Sequence, residues 1–337
     1  TEDPSTINKL ILDILGQFPK GAYLAYTATP FANILSDPLY PNLLYPRDFI
    51  VDLPMPEGYF GTERIFGSEP LEQGAPSSDG LPMIRTVPDE EVGQVKPPTR
   101  DSRDSFQPQL TNSLVDAMLW FLLSCGVRRA RGQAGQHMSM LIHTTLYTDV
   151  HVRFESLLRQ DLKQIQEKLL KGDVVLLQRI GCLWAEETAK IPPESFGEKR
   201  VSLESAIAEL PAVLAALRVV IDNAKSESRL SFPEGGSTQI VVGGNTLSRG
   251  LTIEGLMVSY FVRASHMYDT LLQMARWFGY RWGYADLPRI WMTTELAEHF
   301  QHLAQVEQEV RRDIRAYEEQ QLTPKDFAPY IQTHSTL

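Results

Sequence analysis

Hydroxyl residues, glycines and arginines gathered in four short segments are the groups in this chain whose types and spacing suit phosphate chemistry. The first segment is Tyr23-Leu-Ala-Tyr-Thr-Ala-Thr-Pro30, in which Thr27 and Thr29 follow an apolar run. Small hydroxyls at the end of a buried strand stand where open α/β sheets bind ligands. A capped turn before Pro30 is the plainer reading. The second is Met140-Leu-Ile-His-Thr-Thr145, which ends a strand in His143 and Thr144. Those two can meet a phosphate, or His143 can be a satisfied core histidine. The third, Gly243-Gly-Asn-Thr-Leu-Ser-Arg-Gly-Leu-Thr252, carries Gly243, Gly244, Arg249 and Gly250. Glycine lets backbone amides approach a phosphate closely, and Gly-Gly-Asn is also ordinary turn chemistry. The fourth runs from Tyr268 to Tyr284 and sets Gln273, Arg276 and Arg281 among aromatics. The planar guanidinium suits phosphate. The alternative is an aromatic core helix whose arginines reach solvent along their stems.

These segments need strands and helices to hold them. Ser5 and Thr6 are placed to cap a helix through Leu15, with Gly16 as its stop. Buried strands are expected at Ala22 to Tyr26, Phe49 to Leu53, Met138 to His143, Gln239 to Val242, Leu256 to Val262 and Arg289 to Met292. Helices are expected at Leu114 to Leu123, over the stripe Val152, Leu158, Leu162, Ile165 and Leu169, and from Leu203 to Ile221 with a break near Pro211. Another helix starts at Asp269, a suitable N-cap. A long last helix carries the stripe Leu296, Phe300, Leu303, Val306, Val310, Ile314 and Tyr317. Short buried strands alternating with helices imply parallel βαβ units, hence an α/β fold with helices flanking a parallel sheet. Between Pro54 and Pro108 the prolines predict a long irregular segment.

Composition narrows the class. With 43% hydrophobic and 22% charged residues the 337-residue chain is globular, large enough for one large domain or two ordinary ones. No apolar run reaches the roughly 18 residues of a membrane helix, so no membrane partner is expected. The polar Thr1 to Leu10 does not read as a signal peptide. The chain opens on Thr1 rather than Met, and a part of a longer protein is expected. Cys125 and Cys182 sit in apolar sequence and are read as buried thiols in a reducing, cytoplasmic compartment. A net charge of -10 opposes tight autonomous binding to nucleic acid. His137, His143 and His151 lack zinc-motif spacing, so no metal is assigned. Asp89, Glu91 and Lys96 are the nearest set to a nuclease core, in Pro-rich sequence without strand character. No Gly-Lys-Ser/Thr occurs, so no phosphate-cradling loop is present.

In this order the four segments resemble motifs of superfamily-two helicases. The wording Tyr-Thr-Ala-Thr-Pro-Phe-Ala, Gly-Gly-Asn-Thr-Leu-Ser-Arg-Gly-Leu-Thr and Gln-Met-Ala-Arg-Trp-Phe-Gly-Tyr-Arg is similar to the Z-one (Z1) domain family, helicase-like or endonuclease-named proteins linked to bacterial restriction and phage defence. The resemblance spans roughly Ala22 to Tyr284. It implies a RecA-like sheet over 111–295 with a helical insertion about 151–230, residues 1–53 as the tail of a preceding RecA-like domain, 54–110 as an insertion or linker, and 296–337 as a closing helix and tail. It further implies a helicase-like, DNA-linked ATPase in which ATP and Mg²⁺ bind only in the intact protein, none being expected on this chain. Arg276 or Arg281 would be the catalytic arginine finger. Gly243, Gly244, Arg249, Gly250 and Gln273 would face the nucleotide. Thr27, Thr29, His143 and Thr144 would contact nucleic acid or couple to it. Expected partners are weakly bound DNA, an upstream ATPase domain of the same protein, and restriction or defence proteins. The family pattern is altered at Gly244, Asn245 and Thr252, where helicases of this type carry Thr, Asp and Asp. An endonuclease with unrecognised acids and a non-catalytic scaffold are the alternatives.

Overall fold

The computed structural model describes residues 6–27, 44–68, 79–222, 230–243, 252–263, 268–320 and 323–324. Six strands form one all-parallel sheet: β1 (Ile84–Thr86), β2 (Met138–His143), β3 (Leu217–Asp222), β4 (Thr238–Gly243), β5 (Leu256–Phe261) and β6 (Arg289–Met292), in the order β1-β6-β5-β2-β4-β3. Strand β2 is buried at every position and pairs with β4 on one side and β5 on the other. Strands covered on both faces read as continuous apolar runs, and β2, β4, β5 and β6 lie within a residue or two of where those runs put them. The fold is α/β, consistent with a RecA-like sheet.

Two helical layers cover the sheet. One face carries α4 (Asn112–Ala130), α5 (Thr148–Leu170), α6 (Val174–Lys190) and α7 (Leu203–Ala216), packed on Met138, Met140, Ile142, Val242, Val258 and Tyr260. The other carries α2 (Thr62–Phe66), α8 (Tyr268–Met274) and α9 (Thr294–Gln320), packed on Leu141, Val241, Phe261, Ile290 and Met292. Helix α4 is apolar around its circumference, as befits a core helix, and Thr111 caps it by accepting from the Leu114 N–H. Helix α5 buries Val150, Phe154, Leu158, Leu162 and Ile165. Its stripe therefore runs through Val150 and Phe154, and Val152 is exposed. In α9 the stripe from Leu296 to Ile314 is buried as its spacing predicts.

Several expectations are corrected. Residues 22–27 form no strand and are exposed, and so are the apolar side chains of Phe49, Val51 and Leu53. Helix α1 (Thr6–Gly16) buries no residue. An apolar run becomes a parallel strand only where neighbouring strands satisfy its backbone and helices cover its faces, and the described residues offer these segments neither. Helix α7 stops at Ala216 rather than Ile221, continuing past Pro211, and the β-branched run Val219 to Ile221 belongs to β3. The Pro-rich segment contains α2, strand β1, helix α3 (Asp89–Val95) and a 3-10 turn at Asp101–Asp104. Its β1 extends the sheet beside β6, and Phe60 exchanges two backbone hydrogen bonds of 3.0 Å with Gly279. Cys182 is exposed, whereas Cys125 is buried.

Glycine is required where β5 enters beside β2. Gly255 has φ +64, and a Cβ there would lie 1.8 Å from the His137 carbonyl oxygen. The Ser139 N–H donates to the Gly255 oxygen at 2.9 Å and the Ser139 hydroxyl to the Glu254 oxygen at 2.8 Å. Gly181, inside α6, faces open space. Replacing Gly255 with Ala is expected to cost about 2–4 kcal/mol through backbone strain and overlap. Gly181→Ala should be neutral or stabilising by up to about 1 kcal/mol. Urea midpoints check the pair, and equal midpoints for the two variants would contradict the argument.

Candidate site at the carboxyl edge of the sheet

The connection leaving β2 passes through α5 to α7 and returns at β3, on the β4 side of β2. The connection leaving β5 passes through α8 and returns at β6, on the other side. The carboxyl ends of β2 and β5 therefore flank a topological switch point, the place where open parallel sheets form a ligand crevice. Strand β2 delivers His143, Thr144 and Thr145 there, all buried. Strand β5 delivers Phe261 and then Arg263. Pairing of His143 with Phe261, with the Val262 N–H donating to the His143 oxygen at 3.3 Å, sets the two chains side by side.

Across this crevice Arg263 Nη1 donates to His143 Nε2 at 3.1 Å. Arginine carries no acceptor, so His143 accepts at Nε2 and, in its neutral form, holds its proton on Nδ1. That Nδ1 has no partner among the described residues, nor has Thr144 Oγ1. Burial, then the charges of Arg263, His151 and Arg276, push the His143 pKa down to about 3. Burial also lowers the pKa of Arg263 and of Arg276. His151 Nε2 lies 3.0 Å from the Thr145 oxygen, and burial keeps its pKa below the usual value despite that bond. The edge thus holds two partly buried cations around buried, neutral polar groups. The apolar run predicts a strand only as far as Val262, so it does not mark Arg263. A basic residue directly after such a strand was the available signal.

The other expected site residues fall as follows. Gly243 ends β4 at the same edge, and Gln273 lies half-buried on α8. Gly244, Arg249, Gly250 and Thr29 lie outside the described residues. Thr27 is exposed, outside regular structure. Arg276 is not on the helix, which ends at Met274. It sits in the following turn, its N–H donating to the Met274 oxygen at 2.9 Å. Arg281 does not leave the core. It is 9% exposed and folds back, Nη1 donating to the Tyr280 oxygen at 2.6 Å and Nη2 to the Trp277 oxygen at 2.8 Å. The carbonyls of Trp277 and Tyr280, in the loop after α8, hold the guanidinium inward.

The basic knot after α4 is engaged within the fold. Arg128 donates to Gln133 at 2.7 Å and lies over the Tyr284 ring at 4.1 Å. Arg129 pairs with Glu209 at 2.8 Å and Arg131 with Asp286 at 2.7 Å. Of the nuclease-like set, Asp89 and Glu91 lie on α3, and Glu91 accepts from the Ser113 backbone at 3.1 Å and from its hydroxyl, holding the start of α4. Among the described residues no group of three or more His, Cys, Asp or Glu is placed to hold a metal ion, and no helix is long and apolar enough to cross a membrane.

A family model described as the Z1 domain matches residues 113–337, which includes β2 to β6 and every residue of this edge. No curated protein and no solved structure matches the chain.

An unfolded histidine titrates near about 6.5, while His143 stays neutral in the fold down to about 3. Between these values the unfolded chain binds the proton and the folded chain does not. Its contribution to stability is therefore fully present above about pH 6.5 and is lost as pH falls toward 3. Replacing His143 with Asn, which can still accept from Arg263, is expected to flatten the fall of the urea midpoint between about pH 7 and pH 5. Parallel pH profiles for the two proteins would contradict this.

Proposed function

The chain belongs to the Z1 domain family, and on that premise we propose that it is the C-terminal part of a helicase-like, DNA-linked ATPase of a cytoplasmic restriction or phage-defence system. The observation that carries the reading is convergence at one sheet edge. The end of β2 with His143 and Thr144, the end of β4 at Gly243, and Arg276 after α8 come from three separate motif segments, and the charge of Arg276 is felt at His143. This is the edge at which a RecA-like domain would face ATP and Mg²⁺ held by a phosphate-cradling loop outside these 337 residues.

Phosphoryl transfer is accelerated chiefly by placing positive charge where negative charge must be stabilised in the transition state. Arg276 is the better candidate for that finger. It is half-buried and its charge acts on His143 at the edge, whereas Arg281 is buried in the core. Gln273, Gly243, Gly244, Arg249 and Gly250 would line the nucleotide side, and Thr27 and Thr29 would couple nucleotide state to DNA. Arg128, Arg129 and Arg131 are engaged internally, and the net charge of -10 opposes DNA phosphates. Binding by this chain alone is then expected at about micromolar or weaker, and weaker still as salt rises.

In the intact protein, Arg276→Ala is expected to lower ATP turnover by about 10³- to 10⁵-fold with nucleotide binding largely kept, and Lys should rescue poorly. Arg281→Ala should act chiefly on thermal stability. Near-normal turnover in the Arg276 variant would remove the main support for the finger. The purified chain, given Mg²⁺ and DNA, should release phosphate from ATP only at background rate, and release well above background would contradict the reading.

A further inference from the structure

Four observations converge beside β5. Arg263 is partly buried and has a neutral ring, not an acid, as its partner: Nη1 donates to His143 Nε2 at 3.1 Å. No carboxylate pairs with it among the described residues, whereas Arg131 meets Asp286 and Arg289 meets Glu187, and the acid-free Arg128 and Arg281 are each held by at least two protein oxygens. Two further polar atoms at the same strand end, His143 Nδ1 and Thr144 Oγ1, are buried without a partner among the described residues. The charge of a second arginine, Arg276, reaches the same histidine. Buried donors are normally satisfied, and a partly buried guanidinium without an acid is costly unless an anion comes to it. Charge of one sign, a hydroxyl and an N–H at a switch-point crevice together describe a site made for an oxyanion.

We propose that Arg263, seated against His143 between the ends of β2 and β5, binds a phosphate group, with Thr144 and Arg276 completing the set of donors. His143 acts as the positioning residue. As an acceptor at Nε2 it fixes one edge of the guanidinium and leaves the other nitrogens to the ligand. The combined charge of two arginines favours a multiply charged polyphosphate over a single carboxylate. That the phosphate belongs to a nucleotide rests on the reading above. The anion site itself requires neither turnover nor a second domain, so the two can fail separately.

The test is titration calorimetry of the 337-residue chain with inorganic tripolyphosphate at low salt. Arg263→Gln is the first variant, because its amide still donates to His143 while the charge is gone. Arg263→Lys keeps the charge and loses the fork. Circular dichroism melts establish that each variant is folded. Saturable binding by the parent chain is expected, weakened about tenfold to a hundredfold in Arg263→Gln and less in Arg263→Lys, as suits loss of a charge-assisted hydrogen bond. No saturable binding by the parent chain, or an unchanged Kd in Arg263→Gln, overturns the proposal. Competition then identifies the source of the phosphate. Displacement by ATP but not by a short thymidine oligonucleotide supports the nucleotide, and displacement by the oligonucleotide alone overturns that assignment in favour of a strand backbone. Loss of tripolyphosphate binding in Arg263→Gln, with no ATP turnover by the intact parent protein, would leave the anion site standing and remove the ATPase reading.

Discussion

The register between β2 and β5 is the constraint on which the candidate site depends. It is set at the amino end of the pair, where the chain turns through Gly255 against the His137 carbonyl and Ser139 takes hydrogen bonds with Gly255 and Glu254. A shift in register follows between Ser139 and Met140, after which Met140 faces Val258 and His143 faces Phe261. From there the chain places Arg263 opposite the His143 ring. A one-residue slip would turn every side chain of β5 to the other face. Phe261 would leave the layer of Trp277 and Phe300, and the arginine would leave the histidine. The geometry at the carboxyl edge is thus fixed by steric fit about six residues upstream.

The two edges of the sheet treat arginine differently. Near the start of β6, fully buried Arg289 and neighbouring Arg85 share the Glu187 carboxylate, with the Trp120 ring 4.9 Å from the Arg289 guanidinium. Burial would raise the Glu187 pKa, but Arg85 and Arg289 outweigh it and hold the carboxyl below its usual value. Arg131 and Asp286 form a second such pair nearby. Breaking a buried pair leaves an uncompensated charge and typically costs about 3–5 kcal/mol, so these contacts lock α4 and α6 to β1 and β6. At the carboxyl edge Arg263 has only a neutral ring among the described residues. Arg128 and Arg281 also lack an acid, but each is held by protein oxygens, so Arg263 stands apart in having a neutral ring as its partner beside buried polar atoms that lack one among the described residues.

Much of this was legible in the sequence where local pattern and burial agree. The strands β2, β4, β5 and β6 and the stripe of α9 are apolar because both faces or one face are covered, and their residues say so directly. Strand β1 was not legible: Ile84, Arg85 and Thr86 are too few to show a pattern, stand among prolines, and are a strand only because β6 offers an open edge. The run Ala22 to Tyr26 fails in the opposite way, having strand composition without strand neighbours among the described residues. Site residues followed the same rule. His143 and Thr144 could be placed because they end a readable strand. The inward turn of Arg281 depends on carbonyls of the loop after α8, which ends at Met274, five residues before Gly279. The pairing of Arg263 with His143 joins positions 120 residues apart and follows from topology alone.

The central claim is that the carboxyl edge between β2 and β5 faces the phosphates of a nucleotide. The most direct measurement is the structure of the intact protein with a non-hydrolysable ATP analogue and Mg²⁺. The account predicts the Arg276 guanidinium, and that of Arg263 beside His143, at charge-assisted hydrogen-bond distance from phosphate oxygens, about 2.7–2.9 Å. A nucleotide bound with this edge turned to solvent, and both arginines beyond reach of any phosphate, would contradict it.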